Sequence, residues 1–343
     1  MENSNFYALD LYSGSGAVTL GMKNAGFIVK AAVDFDPKAC ETYRLNHPEV
    51  NLVESDIRDV HLSTFDDLKK NLDLLAVCAP CQPFSSRNRN KMSSDDRVAL
   101  VLEACRFIEY LQPKFIVFEN VPGLERNQVF AELEKFLIGQ EYHVSRPEKL
   151  DAAELGVPQR RVRMILFAAK SAKLLESAAN IQPQARKSVR DAIGDLPSAV
   201  ERSNSLVDQM HFRRAHSALN LERLRHIPKN GGSRHSLPHH LVLDCHRGIP
   251  DHHYPDCYGR MHWEQPAPTL TTGCTDFTKG RYVHPEDDRA ITLREAARLQ
   301  TFPDEYQFAG NSGQIATQIG NAVPPTMMSV IAASIRSALT KGI

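Results

Sequence analysis

The chain has 343 residues, with 41 Lys plus Arg set against 41 Asp plus Glu, and seven cysteines. That length exceeds the roughly 250–300 residues one hydrophobic core usually serves, so two lobes are expected, and a formal charge of zero leaves any polyanion contact to local charge. No apolar signal segment opens the chain and no long uncharged apolar run follows, so no membrane is involved and a cytoplasmic protein with reduced thiols is the expectation.

Short β-branched and apolar runs recur through the first half, at 6–12, 28–34, 51–55, 72–78, 115–121 and 162–169. Helical patterns separate them, among them 37–48 and 98–113, the latter preceded by Asp95 and Asp96 as candidate N-caps. Alternating strand and helix imply a mostly parallel sheet covered on both faces, a doubly wound α/β lobe.

The first run leads into Ser13-Gly14-Ser15-Gly16 and a helix start. Glycines there let the backbone turn tightly and approach a ligand, and the free amides of the helix face a polar or anionic group. Asp34 ends the second run, placed to accept from ribose hydroxyls, and Phe35 beside it can stack on adenine. Asp56, after the third run, can accept from the adenine amine. Thr19 stands where a dinucleotide enzyme wants its third glycine, so a nucleoside cofactor without pyrophosphate fits better.

The fourth run ends in 76-AVCAPCQPFSS-86, whose Cys-x-x-Cys spacing also belongs to redox pairs and half zinc sites. Cys78 closes the apolar run and reads as a buried, inert thiol; Cys81 lies beyond it on a loop, where a reactive thiol belongs. The fifth run ends in 119-ENVPG-123, and burial of Glu119 would raise its pKa enough for proton donation. In 156-GVPQRRVR-163, period-two alternation turns Arg161 and Arg163 to one side and Arg160 to the other, a fork for an anion or carbonyl oxygen.

From about residue 185 the alternation breaks down. Ten of the 14 histidines fall between His211 and His262, and 201–240 shows no sustained period, so an irregular, loop-rich lobe is expected. The stretch 245-CHRGIPDHHYPDC-257 does not follow a common zinc-finger spacing; no metal is assigned, and whether this cluster binds one stays open. Helical periodicity returns at 291–302 and 313–342, the last segment packing back on the first lobe.

In chain order, DLYSGSGAVTLG, APCQPFS, FENV, PQRRVR, GRMHWEQPAPTLTT and IGNAVPP resemble six motifs of the DNA cytosine-5 methyltransferases of bacterial or phage modification type. The resemblance implies a doubly wound, Rossmann-like S-adenosylmethionine-dependent lobe at 1–185 and 290–343, with a smaller irregular target-recognition lobe at 186–289. It implies S-adenosylmethionine as cofactor and a cytosine flipped out of double-stranded DNA as substrate. Cys81 would attack carbon 6, Glu119 would engage ring nitrogen 3, and Arg163 with Arg161 would bind the carbonyl oxygen. Tyr12, Ser13, Gly14, Ser15 and Gly16 would border the cofactor with Asp34, Phe35, Asp56 and Ile57. Pro80, Leu100, Asn321 and Val323 would complete its surroundings. Gln82 and Asn120 would orient the catalytic loop, while Arg260, Trp263 and Thr269 read as scaffold of the second lobe. A monomer, bound to the nucleoid when on DNA and paired or not with a restriction endonuclease, is expected. Two departures stand out: Ala17 replaces a second consecutive glycine, and Cys78 occupies a position that is commonly glycine. A transfer-RNA methyltransferase with the same core, a catalytically silent DNA-binding relative and a dinucleotide-dependent oxidoreductase are the competing readings.

Overall fold

The computed structural model describes residues 5–80, 96–201, 208–248, 250 and 253–342. Five parallel strands, β1 (Tyr7–Leu11), β2 (Ile28–Asp34), β3 (Asn51–Glu54), β4 (Leu74–Val77) and β5 (Phe115–Asn120), coincide closely with the expected runs. Three further strands, β6 (His143–Val144), β7 (Glu148–Asp151) and β8 (Val162–Ala169), complete the sheet in the order β3-β2-β1-β4-β5-β8-β6, with β7 also on β8. β8 runs antiparallel to β5, β6 and β7, so the sheet is mixed and not as parallel as strand-helix alternation implied. β6 and β7 are too short to leave a periodic signal.

Period-two alternation sends side chains to two cores. Ala8, Ala76, Val117, Ile165 and Phe167 pack beneath α1 (Ala17–Asn24), α5 (Ala172–Ala179) and α10 (Pro325–Thr340). Leu9, Leu75, Ile116, Phe118 and Leu166 face the other way, with α3 (Asp96–Leu111) and α4 (Gln128–Gly139). Helix α2 (Pro37–Asn46) starts at Asp36, whose carboxylate caps the amides of Lys38 and Ala39. Buried Met328, Ile331, Ala332 and Ile335, at helical spacing, seat the C-terminal helix on the first lobe as expected. The expected helix over 313–342 is two, α9 (Ser312–Asn321) and α10, because Pro324 and Pro325 cannot continue the α9 ladder while Pro325 suits a helix start.

A third core joins α6 (Val189–Ile193) and α8 (Leu293–Leu299) to Ala17, Met261, Leu270 and Ile319, so packed residues are shared across the lobe boundary expected at 186. A fourth is local to the second lobe: Leu224, Ile227, Leu237, Leu241, Tyr258, Phe277, Val283 and Ala290. Within the stretch expected to lack regular structure, α7 (Ala218–His226) forms, capped by Ser217; only Leu224 is buried on it, which is why no apolar stripe shows. Two arginines organise this lobe. Arg260, fully buried, donates to the carbonyls of Leu224, Ile227, His284 and Asp287 and pairs with Asp288. Arg281 donates to the carbonyls of Gly231, Gly232 and Arg260. Arg260 thereby adds a donor to the Leu224 carbonyl, which also takes the Ile227 cap amide, and satisfies the Ile227 carbonyl just past α7. Among the described residues no group of three His, Cys, Asp or Glu side chains stands close enough to hold a metal, and no helix is long and apolar enough to cross a membrane.

Candidate active site

The chain moves from β1 outward to β2 and β3, then returns to the other side of β1 with β4 and β5. The crevice beyond the carboxyl ends at such a reversal is where open α/β sheets bind ligands. Tyr12–Gly16, Asp34–Phe35, Asp56–Ile57, Pro80 and Glu119–Asn120 all follow or close parallel strands and so meet at that edge. The arginines reach it only because β8 is antiparallel: its first residues, not its last, lie beside the end of β5, with Met164 opposite Asn120 and Ile165 opposite Glu119.

At the cofactor end, Tyr12, Gly14 and Gly16 adopt positive φ (64°, 53° and 92°), folding the loop back over β2, where the Ser13 amide meets Val33 O at 3.1 Å. The Asp34 carboxylate receives the Gly14 amide at 2.8 Å and the Asp36 amide at 2.9 Å. Burial raises its pKa against the pull of those two bonds. Phe35, the next residue in the chain, is 63% exposed. Ser13 Oγ is buried without a partner, and nothing lies within 4 Å of where a Gly14 Cβ would point. An orphaned hydroxyl, an exposed aromatic residue and a carboxylate at the end of the second strand fit a nucleoside cofactor such as S-adenosylmethionine.

Asp56 departs from the simple expectation. Arg58 donates to it twice, at 2.9 and 2.6 Å, holding its carboxyl down to about 2, so an adenine amine would share it with that guanidinium. Ile57 is buried, and Tyr12 donates its hydroxyl to Leu100 O. Val323 is buried just past α9, while Asn321 is exposed.

At the other end, Glu119 is 7% exposed, and Arg163 Nε lies 3.0 Å from its Oε1 without the alignment of a hydrogen bond. Burial raises the Glu119 pKa, opposed by the positive charges of Arg163 and Arg161. This carboxyl can therefore carry a proton and still keep a cation at its side. Arg161, expected to help grip a carbonyl oxygen, is 3% exposed and turns its two terminal nitrogens to Leu270 O at 3.0 Å and Gly320 O at 3.1 Å, leaving Nε buried without a partner. Asn120 donates to Ala79 O at 3.2 Å, tying the end of β5 to the chain just before Pro80. Cys78 lies near Glu119, half-buried against the core where full burial was expected, and desolvation still pushes its thiol well up. Cys81 and Gln82 lie outside the described residues.

Several buried polar groups went unsuspected. Gln159, within the Gln-Arg-Arg stretch, receives the Leu270 amide at 2.9 Å and donates to Gln300 Oε1 at 2.8 Å; Gln300 in turn donates to Ile319 O at 2.5 Å. Gly320 is required here, since a Cβ would sit 2.3 Å from the Thr271 carbonyl carbon. Asp10, His47 and Tyr306 form a second set behind the cofactor loop. Gln159, Asp10 and Gly320 lay in recognisable motifs; Gln300, His47 and Tyr306 did not, and they meet their partners across separations no local pattern reveals.

The family model for C-5 cytosine-specific DNA methylases matches residues 6–337. The Type II methylase M.HgiDII of Herpetosiphon aurantiacus is 38% identical over 96% of this chain and 94% of its own length. The Type II methyltransferase M.XorII of Xanthomonas oryzae is 33% identical over 97% and 85%. A DNA modification methyltransferase encoded within an E. coli prophage superposes with a TM-score of 0.76 at 26% identity, over 98% of this chain and 100% of that one. Entamoeba histolytica methyltransferase EhMeth, at 18% identity, TM-score 0.68 and coverage of 98% and 99%, shares the fold.

Proposed function

The chain belongs to the C-5 cytosine-specific DNA methylase family, whose reaction moves a methyl group from S-adenosylmethionine to carbon 5 of cytosine in DNA, and we propose the residues that perform it. The observation that carries the reading is the meeting of the Tyr12–Gly16 loop, Glu119 and Arg163 at one edge of the sheet.

The cytosine leaves its duplex, at a cost of a few kcal/mol, and enters the crevice. Cys81, as thiolate, forms a bond to carbon 6, and the ring electrons move toward nitrogen 3 and carbon 5. Glu119 donates its proton or a hydrogen bond to nitrogen 3, which keeps that negative charge from building up. Arg163 holds the carbonyl oxygen over the thiol from beside Glu119, an electrostatic contribution fixed before the reaction begins. Arg161 acts one step back, bracing the site through Leu270 and Gly320 and adding charge near Glu119. Tyr12–Gly16, Asp34, Phe35, Asp56 and Ile57, with Pro80, Leu100, Asn321 and Val323 around them, would hold S-adenosylmethionine, which when bound would supply its methyl group to the electron-rich carbon 5, its sulfonium–methyl bond breaking to leave S-adenosylhomocysteine. Loss of the carbon-5 proton returns its electron pair to the ring and breaks the sulfur–carbon bond, freeing Cys81.

Residues 1–185 with 290–343 form the catalytic lobe in this reading, and 186–289 recognise double-stranded DNA, their arginines meeting phosphates and guanine edges. The protein acts as a monomer, in the cytoplasm and on the nucleoid. Relatives named as Type II methylases favour a companion restriction endonuclease. The test is a duplex carrying 5-fluorocytosine at a methylated site: fluorine blocks the last elimination, so a complex resistant to denaturation accumulates. Failure to trap any such complex on a duplex shown to be methylated overturns the carbon-6 adduct.

A further inference from the structure

Two side chains hold the carbonyls of the donor loop from behind. Tyr306 donates its hydroxyl to Ser15 O at 2.5 Å, and His47 Nε2 lies 3.1 Å from Gly16 O. The same nitrogen is 3.2 Å from the Tyr306 hydroxyl. A carbonyl oxygen only accepts, so Nε2 carries the proton and the neutral ring turns Nδ1 as acceptor toward Lys23 Nζ, 3.4 Å away. Burial and the Lys23 charge lower His47 to about 4, in keeping with a neutral ring.

The fit is close. A Cβ on Gly16 would lie 2.6 Å from His47 Cδ2 and 2.8 Å from the Tyr306 hydroxyl, and its φ of 92° already disfavours a side chain. His47 ends α2, whereas Tyr306 belongs to a ring cluster with Phe302 and Phe308 in the core shared between the lobes. The loop is thus fixed from the first lobe and from the segment leading into α9.

We propose that His47 and Tyr306 are positioning residues for the methyl donor. A trans peptide is planar, so holding the Ser15 carbonyl fixes the Gly16 amide, which donates to Ser13 O at 2.9 Å and closes the loop, and holding the Gly16 carbonyl, which also accepts the Leu20 amide at 2.9 Å, turns the Ala17 amide in the opposite sense, toward the crevice side of the α1 start. The clamp sets the loop before the donor arrives and lowers the ordering cost of binding. The inference rests on the reading of Tyr12–Gly16 as the donor loop.

Calorimetric binding of S-adenosylhomocysteine to the full chain tests it, with Asp34→Ala as reference. Tyr306→Phe removes one oxygen and leaves the ring in its cluster; losing this bond weakens binding about five- to tenfold. His47→Leu weakens it by a similar factor, and His47→Gln, which keeps a donor, recovers part of the loss. KM for S-adenosylmethionine rises in step while KM for duplex DNA stays put. If Asp34→Ala weakens binding but Tyr306→Phe and His47→Leu both stay within twofold of the unaltered chain, the clamp is refuted. If Asp34→Ala is also without effect, the donor-loop reading fails with it. A rise in KM for DNA equal to that for the cofactor also refutes the assignment, since it marks a general loss of structure.

Discussion

Replacing Asp10 by asparagine should change the pH dependence of stability without changing the shape of the site. Asp10 is fully buried on β1; its Oδ2 accepts from Thr19 Oγ1 at 2.7 Å, and its Oδ1 has no partner. Burial raises its pKa from 3.8 to about 7, the Thr19 bond opposing and the Asp34 charge adding to the rise. A carboxyl that holds its proton more tightly when folded makes the native state bind more protons between those two values. Stability therefore falls as pH rises through that window and levels off above 7. At about 1.4 kcal/mol per pH unit, the whole effect is worth about 4 kcal/mol. Asparagine does not titrate, so its stability relative to the native chain should improve by about 4 kcal/mol between pH 4 and pH 8. Its oxygen still accepts from Thr19, and its buried amide nitrogen, replacing an unpartnered oxygen, costs about 1–3 kcal/mol at every pH. That cost moves the curve without tilting it. Urea unfolding followed by circular dichroism and by the single tryptophan, Trp263, measures the difference at each pH. His47 has the opposite sense: its lowered pKa gives stability that is full above about 6.5 and declines as pH falls toward 4. It is present in both proteins and cancels in the difference. A difference constant within about 1 kcal/mol from pH 4 to 8 would refute the argument, because Asp10 would then ionise as freely inside the fold as outside it.

Two predictions concern the chemistry. Cys81→Ser abolishes methyl transfer while Cys78→Ser keeps most of it, as read by incorporation of labelled methyl into duplex DNA; equal loss from both would make the two thiols partners. Glu119→Gln keeps the shape and a donor but removes the transferable proton, and lowers kcat by about 10²- to 10⁴-fold; single-turnover rates within a few-fold of the native enzyme would remove Glu119 from proton transfer.

The strands that build the site were legible because each buries a short apolar run between polar turns, a pattern that survives without tertiary information. β1, β2, β4 and β5 could be read this way, and with them the placement of the glycine loop, Asp34, Cys78 and Glu119 at strand ends. The order of the motifs carried the family and its reaction, since chain order is a property of sequence alone. The direction of β8 was not legible: an apolar run has the same period whichever way it pairs, and only the antiparallel register with β5 brings Arg163 beside Glu119. The work of Arg161 was equally hidden. Alternation gave its side, but two carbonyls from distant segments, Leu270 and Gly320, decide where its terminal nitrogens are held. His47 and Tyr306, 259 residues apart, carry no periodic or motif signal, because a hydrogen bond to a main-chain carbonyl asks nothing of the residues between. Local pattern and motif order thus determined the family, its reaction and which residues stand at the strand ends, and long-range packing alone decided how those ends are braced and brought within reach of one another.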